Sequence, residues 1–336
     1  MTKFPATTRF KAFRIFNEEG KVASRLVEMA LDELDPGEVT IKTAFSSINF
    51  KDALAATGTG KVIRRFPCVG GIDGCGVVVS SSDPRFREGD EVIATSYDIG
   101  VAHDGGYAQY MRVPADWAVP LPKGMSAFDA MALGTAGFTA GLAIVRMERE
   151  GLKPGSGPVI VTGATGGVGS IAIDILAGAG YHVVALTGKA EQADYLKTLG
   201  AKEVMLRSSL DLAKIKALDK ATWAGAVDNL GGEVLAWVAS TMNVGGALAS
   251  IGLAASHTLN TTVMPFILRG VSLLGVDSVN APMLVRQEVW QRLAGDLKPR
   301  HLQAMVTKVR LDEMAPVFER ILKAQFHGRA VVTLDG

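Results

Sequence analysis

The chain is poor in the residues that build metal sites and disulfide frameworks. It has two cysteines, Cys68 and Cys75, no CxxC pair, and five scattered histidines without an i, i+4 pair. Such spacing argues against a structural zinc lobe and leaves only a site assembled from distant residues as a route to a metal. Neither sign of charge is in excess. A formal net charge of +1 provides no global field toward nucleic acid, and no segment interleaves aromatic and basic residues as nucleic-acid surfaces do. The opening MTKFPATTRFK lacks the apolar core of a secretory signal. Long hydrophobic runs are missing too. The most apolar stretch, 159–186, is broken by a glycine cluster, by Asp174 and by His182, so it reads as strand–helix–strand rather than as a membrane span. The expectation is a soluble, cytoplasmic protein with no membrane or nucleic-acid partner.

Glycine is what the chain has in plenty. Its 38 glycines gather in short clusters, the mark of tight turns and close backbone approaches. With 48% hydrophobic and 21% charged residues the composition is globular. A length of 336 residues exceeds one hydrophobic core, so two domains are expected.

Between residues 22 and 130, short apolar runs at 39–44, 76–79, 91–94 and 107–113 alternate with glycine and proline, which predicts a β-rich, barrel-like domain. The texture changes near Ser126. A helix is expected from Gly134. Strand-like runs then follow at 159–162, 182–187, 203–206, 226–229, 247–251 and 273–276, with amphipathic stretches such as 191–199 and 233–242 between them. Repeated β-then-α at this spacing predicts a doubly wound parallel sheet. The strand-like tail 329–334 is expected to return to the first domain. The expected division is 1–129 with 298–336, and 130–297.

Residues 159–170 read VIVTGATGGVGS, in which Gly163, Gly166 and Gly169 lie between a strand and a helix. Glycines there let the backbone approach a pyrophosphate, and the first N–H groups of the helix face its charge. The next strand ends in Thr187, Gly188 and Lys189. An NAD site usually has an acid there for the ribose 2′-hydroxyl. A hydroxyl and a cation suit a 2′-phosphate instead, with Arg207 one strand further on, so NADPH is the expected cofactor.

SSINFKDAL (46–54), FPCVGGIDGCGVV (66–78), HDGGYAQY (103–110), LGTAGFTA (133–140) and VTGATGGVG (161–169) together resemble the medium-chain dehydrogenase/reductase superfamily along nearly the whole chain. Zinc-dependent members carry a Cys/His ligand set that this chain lacks, which points to the zinc-free, quinone-oxidoreductase-like side. GKVIRRFP (60–67), WAGAVDNLGG (223–232), TTVMPFILRGVSLLGVDSV (261–279) and HGR (327–329) resemble the YhdH-type group, which includes NADPH-dependent acrylyl-CoA reductases. The resemblance implies an α/β fold: a Rossmann-type doubly wound sheet plus a discontinuous β-rich GroES-like catalytic domain. It implies cofactor contacts at Phe50, Thr165, Gly166, Gly167, Val168, Thr187, Gly188, Lys189, Arg207, Leu253, Ile267 and Ser278. Relatives commonly have tyrosine at the Phe50 position, so a hydroxyl is missing here.

An enone or enoyl thioester can accept hydride without a metal, because its β-carbon is already electrophilic. Asn49 and Asp52 are the candidate catalytic polar groups, Asn49 as a donor to the substrate carbonyl or to order the ribose, and Asp52 as a brace for local backbone or Lys51; alternatively both cap a helix starting near Asn49. Lys61, Arg64 and Arg65 could receive the phosphates of a CoA thioester, or be a solvated face. Cys68 and Cys75 read as small buried hydrophobes and His182 as structural. The expected function is reduction of acrylyl-CoA to propionyl-CoA, with a quinone or enone oxidoreductase and a non-catalytic NADPH-binding protein as alternatives. A homodimer is the default assembly, with 263–276 as a candidate interface.

Overall fold

The computed structural model describes residues 8–334. They divide into two compact units. One runs to Thr135 and takes in Val279–Gln287 and the chain from Met305; the other comprises Ala136–Ser278 and Glu288–Ala304. The first boundary falls within the helix Ala127–Arg149, six residues past the expected position, because composition changes where a helix starts and contacts change along it. That helix is long and apolar enough to cross a membrane by composition, yet most of it is buried in the protein.

The first unit is β-rich. Its larger sheet has the order Val306–Arg310, Arg329–Thr333, Val39–Ile48, Asp73–Ser81, Glu91–Thr95 and Ala118–Pro120, with Tyr110–Val113 also paired to Val39–Ile48. Arg329–Thr333 runs antiparallel to Val39–Ile48, with Ala330 opposite Ile48 and Thr333 opposite Phe45. A smaller sheet joins Lys21–Ala30, Arg9–Glu18 and Cys68–Val69. The helices Phe50–Thr57 and Met314–Leu322 pack with it around Phe13, Ile48, Tyr107 and Phe318. Cys68 and Cys75 are buried and unbonded to each other; burial pushes the Cys68 thiol up to about 12, and Cys75 upward as well, so both behave as small core residues.

The second unit is a six-stranded parallel sheet in the order Glu203–Leu206, His182–Thr187, Pro158–Thr162, Trp223–Asp228, Met242–Ser250 and Ser272–Gly275. Strands read from the sequence recur here within a few residues, since buried parallel strands are continuous apolar runs. The order reverses between Pro158–Thr162 and Trp223–Asp228. Ligands of open parallel sheets bind beyond the C-terminal ends at such a switch point. His182 opens its strand at the surface, where it lies 3.0 Å from Glu203 of the neighbouring strand.

Candidate active site

The strands of the second unit are parallel, so their C-terminal ends share one edge. Thr165 to Val168 follow the first of them, Thr187 to Lys189 the second and Arg207 the third. Leu253 and Ser278 follow Met242–Ser250 and Ser272–Gly275, and Ile267 lies on the helix Met264–Arg269 between those two strands. Register alone thus gathers these expected contacts within the unit. Leu253 and Ile267 are exposed apolar side chains and Ser278 is half-buried.

The glycine turn is built for close approach. A Cβ on Gly169 would stand 2.4 Å from the Gly163 carbonyl oxygen, so no side chain fits where the turn meets the helix Gly167–Gly178. The first N–H groups of that helix have no partner within it. Thr162 Oγ1 donates to Asp228 Oδ1 at 2.7 Å and accepts from Asn229 N–H at 3.0 Å, tying the two strands that flank the switch point. The Asn229 amide adds a 2.7 Å bond to the Thr162 carbonyl. Sequence reading did not single out this lock, because its partners are more than sixty residues apart.

Arg207 reaches back to the second strand. A Cβ on Gly188 would lie 3.7 Å from Arg207 Nη2. Thr187 Oγ1 accepts the Lys189 N–H at 3.0 Å, and burial holds the Lys189 ammonium below its ordinary value. The nearest acid along the chain, Glu191, is exposed, and its charge opposes that lowering. Arg207 also lines a pocket of about 470 Å³ with Leu212, Gly232, Glu233, Val234 and Ser256. Hydroxyl, cations and glycine cradle therefore fit a phosphorylated dinucleotide.

The first unit holds a buried polar network that the sequence reading caught only in part. Asp73 is its centre. Its Oδ2 accepts from Ser47 Oγ at 2.5 Å, from the Asn49 amide at 2.8 Å and from Thr135 N–H at 3.0 Å, while Oδ1 accepts from Thr135 Oγ1 at 2.5 Å. Arg329, 2% exposed, donates to Ser47 Oγ at 2.8 Å, the Ala132 carbonyl at 2.9 Å, and the Ile48 carbonyl and Asn49 Oδ1 at 3.2 Å each. Burial pulls its guanidinium below the usual value, and the charges of Asp73 and Asp52 oppose that. Gly134 interrupts its helix at φ +53°; a Cβ there would lie 2.5 Å from Asp73 Oδ2 and 2.8 Å from Arg329 Nη2. Only glycine satisfies both the backbone and the space.

Residues 35–123 match the alcohol dehydrogenase GroES-like domain, and residues 167–295 the zinc-binding dehydrogenase family. The acrylyl-CoA reductase AcuI of Ruegeria pomeroyi is 46% identical over 95% of this chain and 96% of its own. The chain belongs to the medium-chain dehydrogenase/reductase superfamily, on its quinone oxidoreductase-like side. Among solved structures of that superfamily, yhdH of Salmonella enterica in complex with NADP has a TM-score of 0.94 at 44% identity, covering 97% of this chain and 100% of its own. Bacillus subtilis yhfP with NAD bound reaches 0.95 at 49% identity, with the same coverage.

The NFKD segment, residues 49–52, sits at the start of the helix Phe50–Thr57. Here Asp52 Oδ2 accepts from the Asn49 N–H at 2.8 Å and from its side-chain amide at 3.1 Å, which is the helix-start arrangement. The Asn49 side chain is fully engaged, with both carboxylates on its amide and Arg329 on its oxygen. Phe50 is 48% exposed beside it. Burial and the charge of Asp73 push the Asp52 carboxyl up to about 7, against the N–H donors of Asn49 and Ile72. A buried acid raised this way favours the folded state when protonated. Its contribution is complete below pH ~4 and is lost as pH rises through about 7, bounded at ~4 kcal/mol. Urea unfolding at pH 5 and pH 8 should show the wild type losing stability as pH rises, and Asp52→Asn a flatter profile; parallel profiles would refute the assignment.

Arg64 and Arg65 are not free cations. Arg64 pairs with Asp98, and Arg65 with Asp35 and, at 3.7 Å, with Asp104. Arg65 also donates to the Ala102 carbonyl at 3.0 Å, so it braces the 98–104 loop. Lys61 is exposed. His103, whose place the sequence left open, packs edge-on to Trp117 with ring centroids 5.2 Å apart, its Nε2 3.1 Å from the Pro36 carbonyl oxygen. Among the described residues no three His, Cys, Asp or Glu side chains converge as a metal site would require.

Proposed function

We propose that this protein reduces the activated carbon–carbon double bond of acrylyl-CoA with NADPH, giving propionyl-CoA, without zinc. The observation that carries the reading is its 46% identity, over nearly the full length of both chains, to an acrylyl-CoA reductase. NADPH, when bound, supplies a hydride to the β-carbon. The turn 163–169 would hold the pyrophosphate, Thr187, Lys189 and Arg207 the 2′-phosphate, and the Arg207-lined pocket the adenosine end. Leu253, Ile267, Ser278 and Phe50 are the remaining contacts. The Asn49–Asp52–Asp73–Arg329 network acts by fixing the strand and helix ends from which Phe50 projects. For the CoA phosphates, Lys61 and Arg64 are the exposed cations, and Arg65 supports their loop. The terminal strand Ser272–Gly275 and the exposed Val263, Leu268 and Leu273 favour a homodimer through that edge. The protein is read as cytoplasmic.

The test is oxidation of NADPH and of NADH at matched concentration, with acrylyl-CoA and with a simple quinone. Turnover of the thioester, with kcat/KM at least ~10-fold higher for NADPH, is the expected result. Quinone turnover alone would move the reading to a quinone reductase. Comparable values with the two cofactors would overturn the NADPH assignment, a real contest given the NAD bound by yhfP.

A further inference from the structure

Reducing an enoyl thioester requires a proton at the α-carbon as well as a hydride at the β-carbon. The hydroxyls around Asp73 are committed elsewhere. Ser46 Oγ donates to the Asp73 carbonyl at 2.7 Å, Ser47 and Thr135 donate to its carboxylate at 2.5 Å each, and Tyr107 donates to the Ser47 carbonyl at 3.1 Å. Because Thr135 gives its hydrogen to Asp73, its 3.3 Å contact with Ser96 Oγ has Ser96 as donor. Asp52 is sealed in, 2% exposed, with its oxygens facing N–H groups of Asn49 and Ile72. Phe50 has no hydroxyl.

Tyr97 is in a different position. It follows Ser96 at the end of the strand Glu91–Thr95, and both residues hold left-handed backbone, φ +69° for Ser96 and +49° for Tyr97. Non-glycine residues rarely adopt that region and persist in it where the surroundings hold them, often at functional sites. Ser96 N–H donates to the Ile72 carbonyl at 2.9 Å, and Ile72 N–H donates to Asp52 Oδ1 at 2.9 Å, so Ile72 is a second link, beside the Ser96–Thr135 contact, from this turn to the polar network. The Tyr97 ring stacks on Trp117, with centroids 5.3 Å apart and planes 7° from parallel. The Arg286 guanidinium lies 4.5 Å from the ring centroid and donates to Thr95 Oγ1 and the Thr95 carbonyl at 3.3 Å each. The ring is therefore clamped, while the side chain is half-buried and its hydroxyl bonds to no other described residue.

We propose that Tyr97 is the proton donor to the substrate α-carbon, a role that rests on the double-bond reduction proposed above. Hydride arrival at the β-carbon leaves the electron pair of the double bond on the enolate. That pair forms the new α-carbon C–H bond as the phenol O–H bond breaks, and the phenolate, beside the Arg286 charge, recovers its proton from water. The clamp supplies orientation and the guanidinium a compensating charge, the two requirements of a donor that does not move.

Tyr97→Phe tests the role, since it keeps the ring between Trp117 and Arg286 and removes only the hydroxyl. Wild type and variant are run with NADPH and acrylyl-CoA in deuterium oxide, and the stereochemistry of the α-deuterium in the product is read. Wild type should label one face. The variant should lose ~10²-fold or more in kcat, with the melting temperature and KM for NADPH unchanged, and should label both faces as water takes over. Unchanged kcat, or a lower kcat with label still on one face, would overturn the proposal. A wild type that reduces no enoyl thioester would overturn the parent reading and this role together, which the variant's failure alone does not.

Discussion

Arg329→Met should lower the free energy of unfolding by ~3–5 kcal/mol, the cost typical of removing one partner from a buried charge cluster. The guanidinium is 2% exposed and satisfies Ser47 Oγ, Asn49 Oδ1 and the carbonyls of Ala132 and Ile48 at once. Methionine fills much of the volume but leaves those acceptors bare, next to two carboxylates with no cation between them. Arg329→Lys should recover little of the loss, because one ammonium cannot reach acceptors spread over a planar fork. Arg310→Met is the control: its pairing with Asp312 is at the surface, where an ion pair is worth ~0–1 kcal/mol. Urea midpoints for the three variants measure the difference. An Arg329→Met variant as stable as the control would mean that the network is not what holds Arg329–Thr333 against Val39–Ile48.

Replacing Lys189 and Arg207 together by alanine should cut kcat/KM for NADPH by ~100-fold or more, while NADH is affected less than ~3-fold. Charge-assisted bonds to a phosphate are worth ~1.5–3 kcal/mol, so losing two of them accounts for that factor. Arg207 lies against Gly188, and Lys189 continues the same strand end, so on the proposed reading both cations would act on the one group that distinguishes the two cofactors. Equal losses for NADPH and NADH would show that the pair shapes the sheet edge generally and does not read the 2′-phosphate.

The legible and illegible parts of the site divide by sequence distance. The places of the glycine turn, of Thr187–Lys189 and of Arg207 at strand ends were readable because each is local: a strand run, a turn and a helix start lie within a dozen residues, and a parallel sheet brings every C-terminal end to one edge. Asn49 and Asp52 were readable as a pair and ambiguous in role, since helix caps and polar catalytic groups use the same residue types. The Asp73 network was not readable. Its members come from 47, 49, 52, 73, 135 and 329, and nothing local separates a buried arginine that opens a strand from a solvated one. The Lys61–Arg65 cluster was visible as charge, but the partners of Arg64 and Arg65 at Asp98, Asp35 and Asp104 lie some thirty residues away.

By itself, then, the sequence determined the parallel sheet and the close-packed glycine turn, because periodicity and glycine placement are properties of short segments. Tertiary structure alone decided that Gly134 must break its helix over Asp73, that Arg329 spans four acceptors, and that Tyr97 is clamped with its hydroxyl left over. Each of these depends on atoms brought within a few ångströms from distant parts of the chain, and close packing in a buried, low-dielectric interior is what makes such contacts strong.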